Sequence, residues 1–288
     1  MRDYVICTDS ACDIKPELLD KWGVCYKSLT FRFENDSKEY SNNDMPVSEF
    51  YDKMKHGGIA KTAAVNSESF YSQFEDIVSS GKDVFYLGFS SGLSTTFNSA
   101  RIAAKELLEK YPESKVAVVD SLAASAGFGL LLKLAVDKKA EGATIEQLAE
   151  FCESLKLNIC HWFTVDDLVY LKRGGRISPA LAFVGNVLGI KPVLHVDNEG
   201  HLVNVTKVRG RKMAINALFE RFEELSSNKE NAKVFISHAD CIQDAEQLAS
   251  MFKNKYNIEV EIITDVGPVI GAHSGPGTLA LFFVGKER

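Results

Sequence analysis

Five hydroxyl side chains, Ser90, Ser91, Ser94, Thr95 and Thr96, crowd into seven residues of the chain. Upstream, Phe85-Tyr-Leu-Gly-Phe89 is an apolar run of the kind a buried parallel strand needs. Downstream, Thr95 to Tyr111 sets Ala100, Ala103, Ala104, Leu107 and Leu108 at helical spacing. Hydroxyls placed between a strand's carboxyl end and a helix start lie beside unpaired backbone N–H groups and the positive end of the helix dipole. Such a junction suits a carboxylate or a phosphate. Gly92 lets the backbone turn there. A single hydroxyl would only cap the helix, a role open to Ser94 or Thr95, but five exceed what one cap needs.

Other residues add to this chemistry. Thr62, in Lys61-Thr-Ala-Ala-Val65, sits in an expected loop with no structural task of its own, ahead of the helix-capping pair Asn66-Ser67. His273 falls in the Gly/Pro-rich stretch Gly267 to Gly277, read as a loop. That placement points to ligand contact rather than core packing, and an adjacent anion would favour the protonated imidazole. Two basic clusters, Lys172-Arg-Gly-Gly-Arg176 and Lys207-Val-Arg-Gly-Arg211, place Arg173, Arg176 and Arg209 on loops of one region. An enzymatic alternative also exists. Gly88-Phe-Ser-Ser-Gly92 fits the G-x-S-x-G elbow of α/β serine hydrolases, with Ser90, then Asp240 or Asp265, then His273 in the required order. Against it, an elbow helix starts directly after its nucleophile, whereas Gly92 and Leu93 intervene before Ser94, and no H-G-G-G oxyanion loop occurs. Nucleotide, dinucleotide and metal motifs are absent, so no metal or cofactor is expected.

The elements that must position these residues alternate between strand and helix. Tyr4 to Cys7 reads as a strand delivering Thr8-Asp9-Ser10 to its carboxyl end, Val24 to Phe33 as further strand, and Val116 to Val119 as another parallel strand. Helices are expected over Pro16–Trp22, Val47–Lys55, Glu68–Ser80, Leu122–Lys139, Ile145–Lys156 and Asp166–Leu171. Gly127 and Gly129 ask for close backbone approach, either to a neighbouring element or to a ligand tail. Beyond Asn158 the pattern changes to an apolar run from Leu181 to Leu188, a hairpin over Lys191–Val208, and alternating helices and strands ending in Leu279 to Val284. The expected architecture is α/β with two domains. Residues 1–157 carry a parallel sheet and the hydroxyl-rich loop; residues 158–288 carry a mixed sheet and the basic loops. The last strand is left open to either.

With 288 residues, 45% apolar and 25% charged, the chain lies within the globular range. A net charge of −6 argues against a nucleic-acid partner. The six cysteines show no C-x-x-C pair, the N-terminal apolar run is too short for a signal peptide, and no stretch reaches the roughly 18 apolar residues of a membrane span. A cytoplasmic protein with reduced thiols is expected.

Taken together, Thr8-Asp-Ser10 with Asp13, Lys61-Thr62, Ser90-Ser-Gly-Leu-Ser94 with Thr96, Asp120-Ser121, Tyr170-Leu-Lys-Arg-Gly-Gly-Arg-Ile177, Lys191-Pro-Val-Leu194, Lys207-Val-Arg209 and Gly271-Ala-His-Ser-Gly-Pro-Gly277 resemble the DegV family of bacterial fatty-acid-binding proteins. Two departures stand out: Ala63-Ala64 where the family often has Ser and Pro, and Thr95 where Gly is common. The resemblance implies a long-chain fatty acid in a pocket between or within two α/β domains, its carboxylate held by Thr62, Ser94 and His273. Ser91, Thr95 and Thr96 would be further head-group contacts. It also implies a non-catalytic role: presenting the acid to a fatty acid kinase for acyl-phosphate formation in phospholipid metabolism. Arg173, Arg176 and Arg209 would face that partner, and the membrane would be met only transiently. Burial of an acyl chain favours binding by about 0.8 kcal/mol per methylene, so the tail would dominate affinity.

Overall fold

The computed structural model describes residues 2–177 and 189–288, and the apolar run from Leu181 to Leu188 lies outside them. Strands β1 (Tyr4–Asp9), β2 (Val24–Lys27), β6 (Asp83–Gly88) and β7 (Val116–Asp120) form a wholly parallel sheet in the order β2-β1-β6-β7. Every residue of β6 is buried, as a central parallel strand requires, under α3 (Ser67–Ser79), α4 (Thr96–Lys110) and α6 (Ile145–Leu155). The Asn66 side chain caps α3 by accepting from Ser69 N at 2.8 Å.

The run from Val24 to Phe33 is two strands, not one. At Ser28-Leu29 the chain leaves the first sheet: Leu29 N donates to Ser10 Oγ (3.0 Å), and Asn42 N donates to Leu29 O (3.1 Å) and to Ser28 Oγ (3.0 Å). Beyond this bend β3 (Thr30–Phe33) pairs antiparallel with β4 (Tyr40–Ser41) and β5 (Ala60–Ala63). Lys61-Thr62 is therefore strand rather than loop, with Thr62 opposite Phe31. Helix α2 (Val47–Lys55) closes this small unit by packing Phe50 edge-on against Phe31.

A second, mixed sheet runs β10-β9-β8-β13-β11-β12, from β8 (Ile159–Thr164), β9 (Ile190–Val196), β10 (Leu202–Arg209), β11 (Val234–His238), β12 (Ile262–Asp265) and β13 (Leu279–Val284). The last strand lies between β8 and β11, so it belongs to this sheet. Alternation along β13 divides the two faces. Leu281 and Phe283 pack with α8 (Arg211–Leu225) and α9 (Ile242–Tyr256), whereas Ala280 and Phe282 face the core shared with the first sheet.

Helix α5 (Ser125–Ala140) occupies that shared core and is buried on nearly all sides through its first half. Its two glycines serve packing. A Cβ on Gly127 would strike His161 and Phe282 of the second sheet, and one on Gly129 would meet Ile14 and the Cys12 carbonyl of the first half. The Arg288 guanidinium ties the halves further, donating to Leu122 O (2.7 Å), Asp197 O (3.0 Å) and Ile159 O (3.1 Å). Among the described residues, no helix is long and apolar enough to cross a membrane.

Candidate functional site

The hydroxyl-rich loop is held from beneath by Asp9 at the end of β1. Its buried carboxylate accepts from Tyr86 Oη (2.7 Å), Phe89 N (3.0 Å) and Ala11 N (3.1 Å), and burial pushes its pKa up to about 6 despite those donors. Within the loop, Ser94 Oγ accepts from Thr96 N (3.2 Å) and lies 2.9 Å from Thr96 Oγ1, so Ser94 helps turn the chain into α4, whose N-cap is Thr95. A hydroxyl that accepts such a bond still has a proton to donate.

Thr62 and His273 come from distant parts of the chain and meet here, Thr62 Oγ1 to His273 Nε2 at 2.8 Å. His273 sits on a short helix, α10 (Pro268–Ser274), and not in a loop. Pro268 at its first turn provides the fixed φ that a helix start accepts, which the glycines around it conceal in the sequence. Burial, followed by the nearby Arg176, lowers the His273 pKa to about 4, so the imidazole is neutral at pH 7. Its Nδ1 has no hydrogen-bond partner among the described residues. An unpaired acceptor costs less than an orphaned N–H, so the proton belongs on Nε2, pointing at Thr62 and leaving the Thr62 hydroxyl to donate onward.

Arg176 completes the group. Its Nε donates to Leu93 O (3.1 Å), beside Ser94, and burial lowers its pKa. Helix α7 (Val169–Arg173) and the Gly174-Gly175 turn bring it there. A side chain on Gly174 would collide with the His273 imidazole, and Gly175 has φ +68°. This arginine therefore lines the site instead of standing on an outer loop. Arg173 lies over the Tyr170 ring, 5.6 Å from its centroid, and Arg209 is exposed at the end of β10; neither borders the cavity.

Thr62, Ser94, Arg176 and His273 line a cavity of about 450 Å³, together with Ser91 and Thr95. Thr96 is buried and is not part of the wall. The remaining wall is mostly apolar, with Leu29, Phe89, Phe163, Leu202, Val266 and Phe282 drawn from all three sheets and their connections. Sequence reading did not find Ser125 and Ser237. They also line the cavity, their hydroxyls 3.0 Å apart, with Ser125 donating to Asp13 at 2.6 Å. Asp13 is named in the sequence only as part of a motif, and its pairing with Ser125 spans 112 positions.

The serine-hydrolase arrangement does not form. Ser90 Oγ donates to Gly200 O at 2.9 Å, and His273 is engaged with Thr62. Asp265 lies 3.7 Å from His238, and Asp240 pairs with Lys55.

Fold and site together define a three-sheet α/β protein enclosing a largely apolar cavity, with hydroxyls, a neutral imidazole and a guanidinium clustered on one part of its wall. The chain belongs to the DegV family, whose model, described as "Uncharacterised protein, DegV family", matches residues 3–286. It is 42% identical to DegV domain-containing protein CPE0026 of Clostridium perfringens, over 100% of this chain and 99% of that one. To a protein of Thermotoga maritima described as a fatty acid-binding protein it is 33% identical, over 98% of each chain. Among solved structures, a stearic acid-binding protein from Eubacterium ventriosum superposes with a TM-score of 0.88 at 27% identity, covering 98% of both chains.

Proposed function

We propose that this protein binds one long-chain fatty acid in the cavity, with its carboxylate held by Thr62, Ser94 and Arg176 and with His273 orienting Thr62. Ser91 and Thr95 are placed for secondary contacts. The observation that carries this reading is the joining of an apolar cavity of about 450 Å³ to a cluster of donors with an arginine that has no carboxylate partner among the described residues. The volume is in the range of small-molecule sites, and the guanidinium, held by Leu93 O and Gly174 O, keeps further charge-assisted donors for an anion. The Thermotoga and Eubacterium relatives, described as fatty-acid and stearic-acid binders, support the same ligand class.

In this reading the protein is a non-catalytic carrier in the cytoplasm, without metal or cofactor, that takes up its ligand by transient membrane contact. It presents the carboxylate to a fatty acid kinase, with Arg173 and Arg209 as docking residues. The commitment of Ser90 and His273 to other hydrogen bonds favours this over hydrolysis.

The direct test compares a long-chain fatty acid with its methyl ester by calorimetry. The ester keeps the tail and loses the charge, so its affinity should fall at least about tenfold, or about 1.4 kcal/mol. Equal affinities, or ester hydrolysis that His273→Ala abolishes, would overturn the proposal. For the kinase step, Arg173→Glu with Arg209→Glu should leave the acid bound yet lower acyl-phosphate formation by roughly tenfold, because like charges at an interface repel. Loss of the acid itself would place these arginines in the pocket.

A further inference from the structure

We propose that Cys7 and Cys25 are an oxidisable pair, open to peroxides, that closes into an intrachain disulfide away from the fatty-acid site. The two residues face each other in register on the parallel strands β1 and β2. Opposed residues of paired parallel strands project from the same face of the sheet, and the strands lie about 4.7–4.9 Å apart. That separation is inside the roughly 4.4–6.8 Å Cα range that a disulfide spans.

The environments of the two sulfurs differ in the way a two-thiol redox centre needs. β2 is the edge strand, and Cys25 is exposed on it, whereas Cys7 is fully buried. The facing Cys7 thiol, with Lys82 adding weakly, outweighs desolvation and Asp20 to lower the Cys25 pKa to about 6; the same thiol–thiol interaction and burial push Cys7 well above the usual thiol value. Cys25 is thus a thiolate at neutral pH and the group a solvent oxidant meets first. The other thiols contrast with it: burial pushes Cys152 and Cys160 up to about 12, Cys241 up to about 11, and Cys12 well above the usual thiol value.

With hydrogen peroxide as oxidant, the Cys25 thiolate attacks one oxygen and breaks the O–O bond, leaving Cys25 sulfenic acid and a hydroxide that is protonated to water. The Cys7 sulfur then attacks the sulfenic sulfur. Its proton passes to the departing hydroxide, and the net change is two thiols and one peroxide to one disulfide and two waters. Neither cysteine borders the cavity, so the pair is a separate site from the one proposed for the fatty acid.

The test treats the full-length reduced protein with a small excess of hydrogen peroxide, blocks remaining thiols under denaturing conditions, and reads intact mass and peptides. The expected product has lost two hydrogen atoms, keeps four alkylatable thiols of the six, and yields a Cys7–Cys25 cross-linked peptide. Cys25→Ser, at an exposed edge, should abolish that product. Cys7→Ala should instead accumulate Cys25 sulfenic acid, trapped by dimedone. A wild-type protein that keeps six free thiols, goes directly to a sulfonic acid at Cys25, or forms only disulfide-linked dimers would overturn the proposal. Fatty-acid affinity, measured in parallel, reports separately on the cavity.

Discussion

A neutral imidazole and a half-buried guanidinium divide the work at the head-group site: His273 orients, and Arg176 supplies charge. His273→Gln, which can still donate toward Thr62, should keep most fatty-acid affinity, while Arg176→Gln should weaken it by about 1.5–3 kcal/mol, the worth of a hydrogen bond to a charged group. Burial and Arg176 lower the His273 pKa to about 4, and with Arg176 pairing the bound carboxylate the imidazole should stay neutral from pH 6 to 8, so binding there should take up no proton. Calorimetry in two buffers of different ionisation heat checks this, and uptake approaching one proton per ligand would contradict it. Asp13 gives the opposite titration. Burial raises its carboxyl from 3.8 to about 7, so the stability from its protonated form is complete below pH 3.8 and lost as pH rises through 7. Relative to Asp13→Asn, the wild type should lose roughly 4 kcal/mol from pH 4 to 8, read from urea denaturation. Thr62, Ser94 and His273 stood out in the sequence by residue type, but their grouping was implied by the resemblance to the family and not by local pattern, since they lie on β5, before α4 and on α10. Arg176 was legible only as a charge, since its place in the wall follows from a two-glycine turn packing on a histidine far along the chain.

At the scale of elements, α5 is where the sequence asked a question that only packing answers. Its glycines lower helix propensity, and each lets the helix approach a different half of the protein. Gly127→Ala should therefore destabilise the fold by about 1–3 kcal/mol through overpacking, despite a propensity gain of about 1 kcal/mol. It should also reduce fatty-acid affinity, because His161 and Phe282, which a methyl group would displace, line the cavity. Stability that rises with this substitution would contradict the packing account. Strands and helices with clear period, such as β6 and α4, were readable from local pattern alone. The bend at Ser28-Leu29, strand β5 and helix α10 were not. The first two depend on hydrogen bonds to Ser10, Asn42 and β3, and the third was masked by four glycines around one proline-initiated turn.

Across the whole molecule, the cavity exists because two sheets and a small third one enclose it around α5. No single segment carries the apolar wall: Leu29, Phe89, Phe163 and Phe282 come from four separate stretches. Pocket shape was therefore not readable in the sequence, although the alternation of strands and helices that builds it was. Arg288 contributes at this scale by joining the carbonyls of Leu122, Ile159 and Asp197, and Arg288→Met should cost roughly 2–3 kcal/mol by thermal or urea denaturation. The central claim, one long-chain fatty acid per chain, is tested most directly by native mass spectrometry of the protein isolated from cells. The predicted result is a protein mass increased by one long-chain fatty acid, which a labelled fatty acid displaces one for one. A bare protein mass that added fatty acid does not shift, accompanied by labelling of Ser90 with a fluorophosphonate, would contradict it.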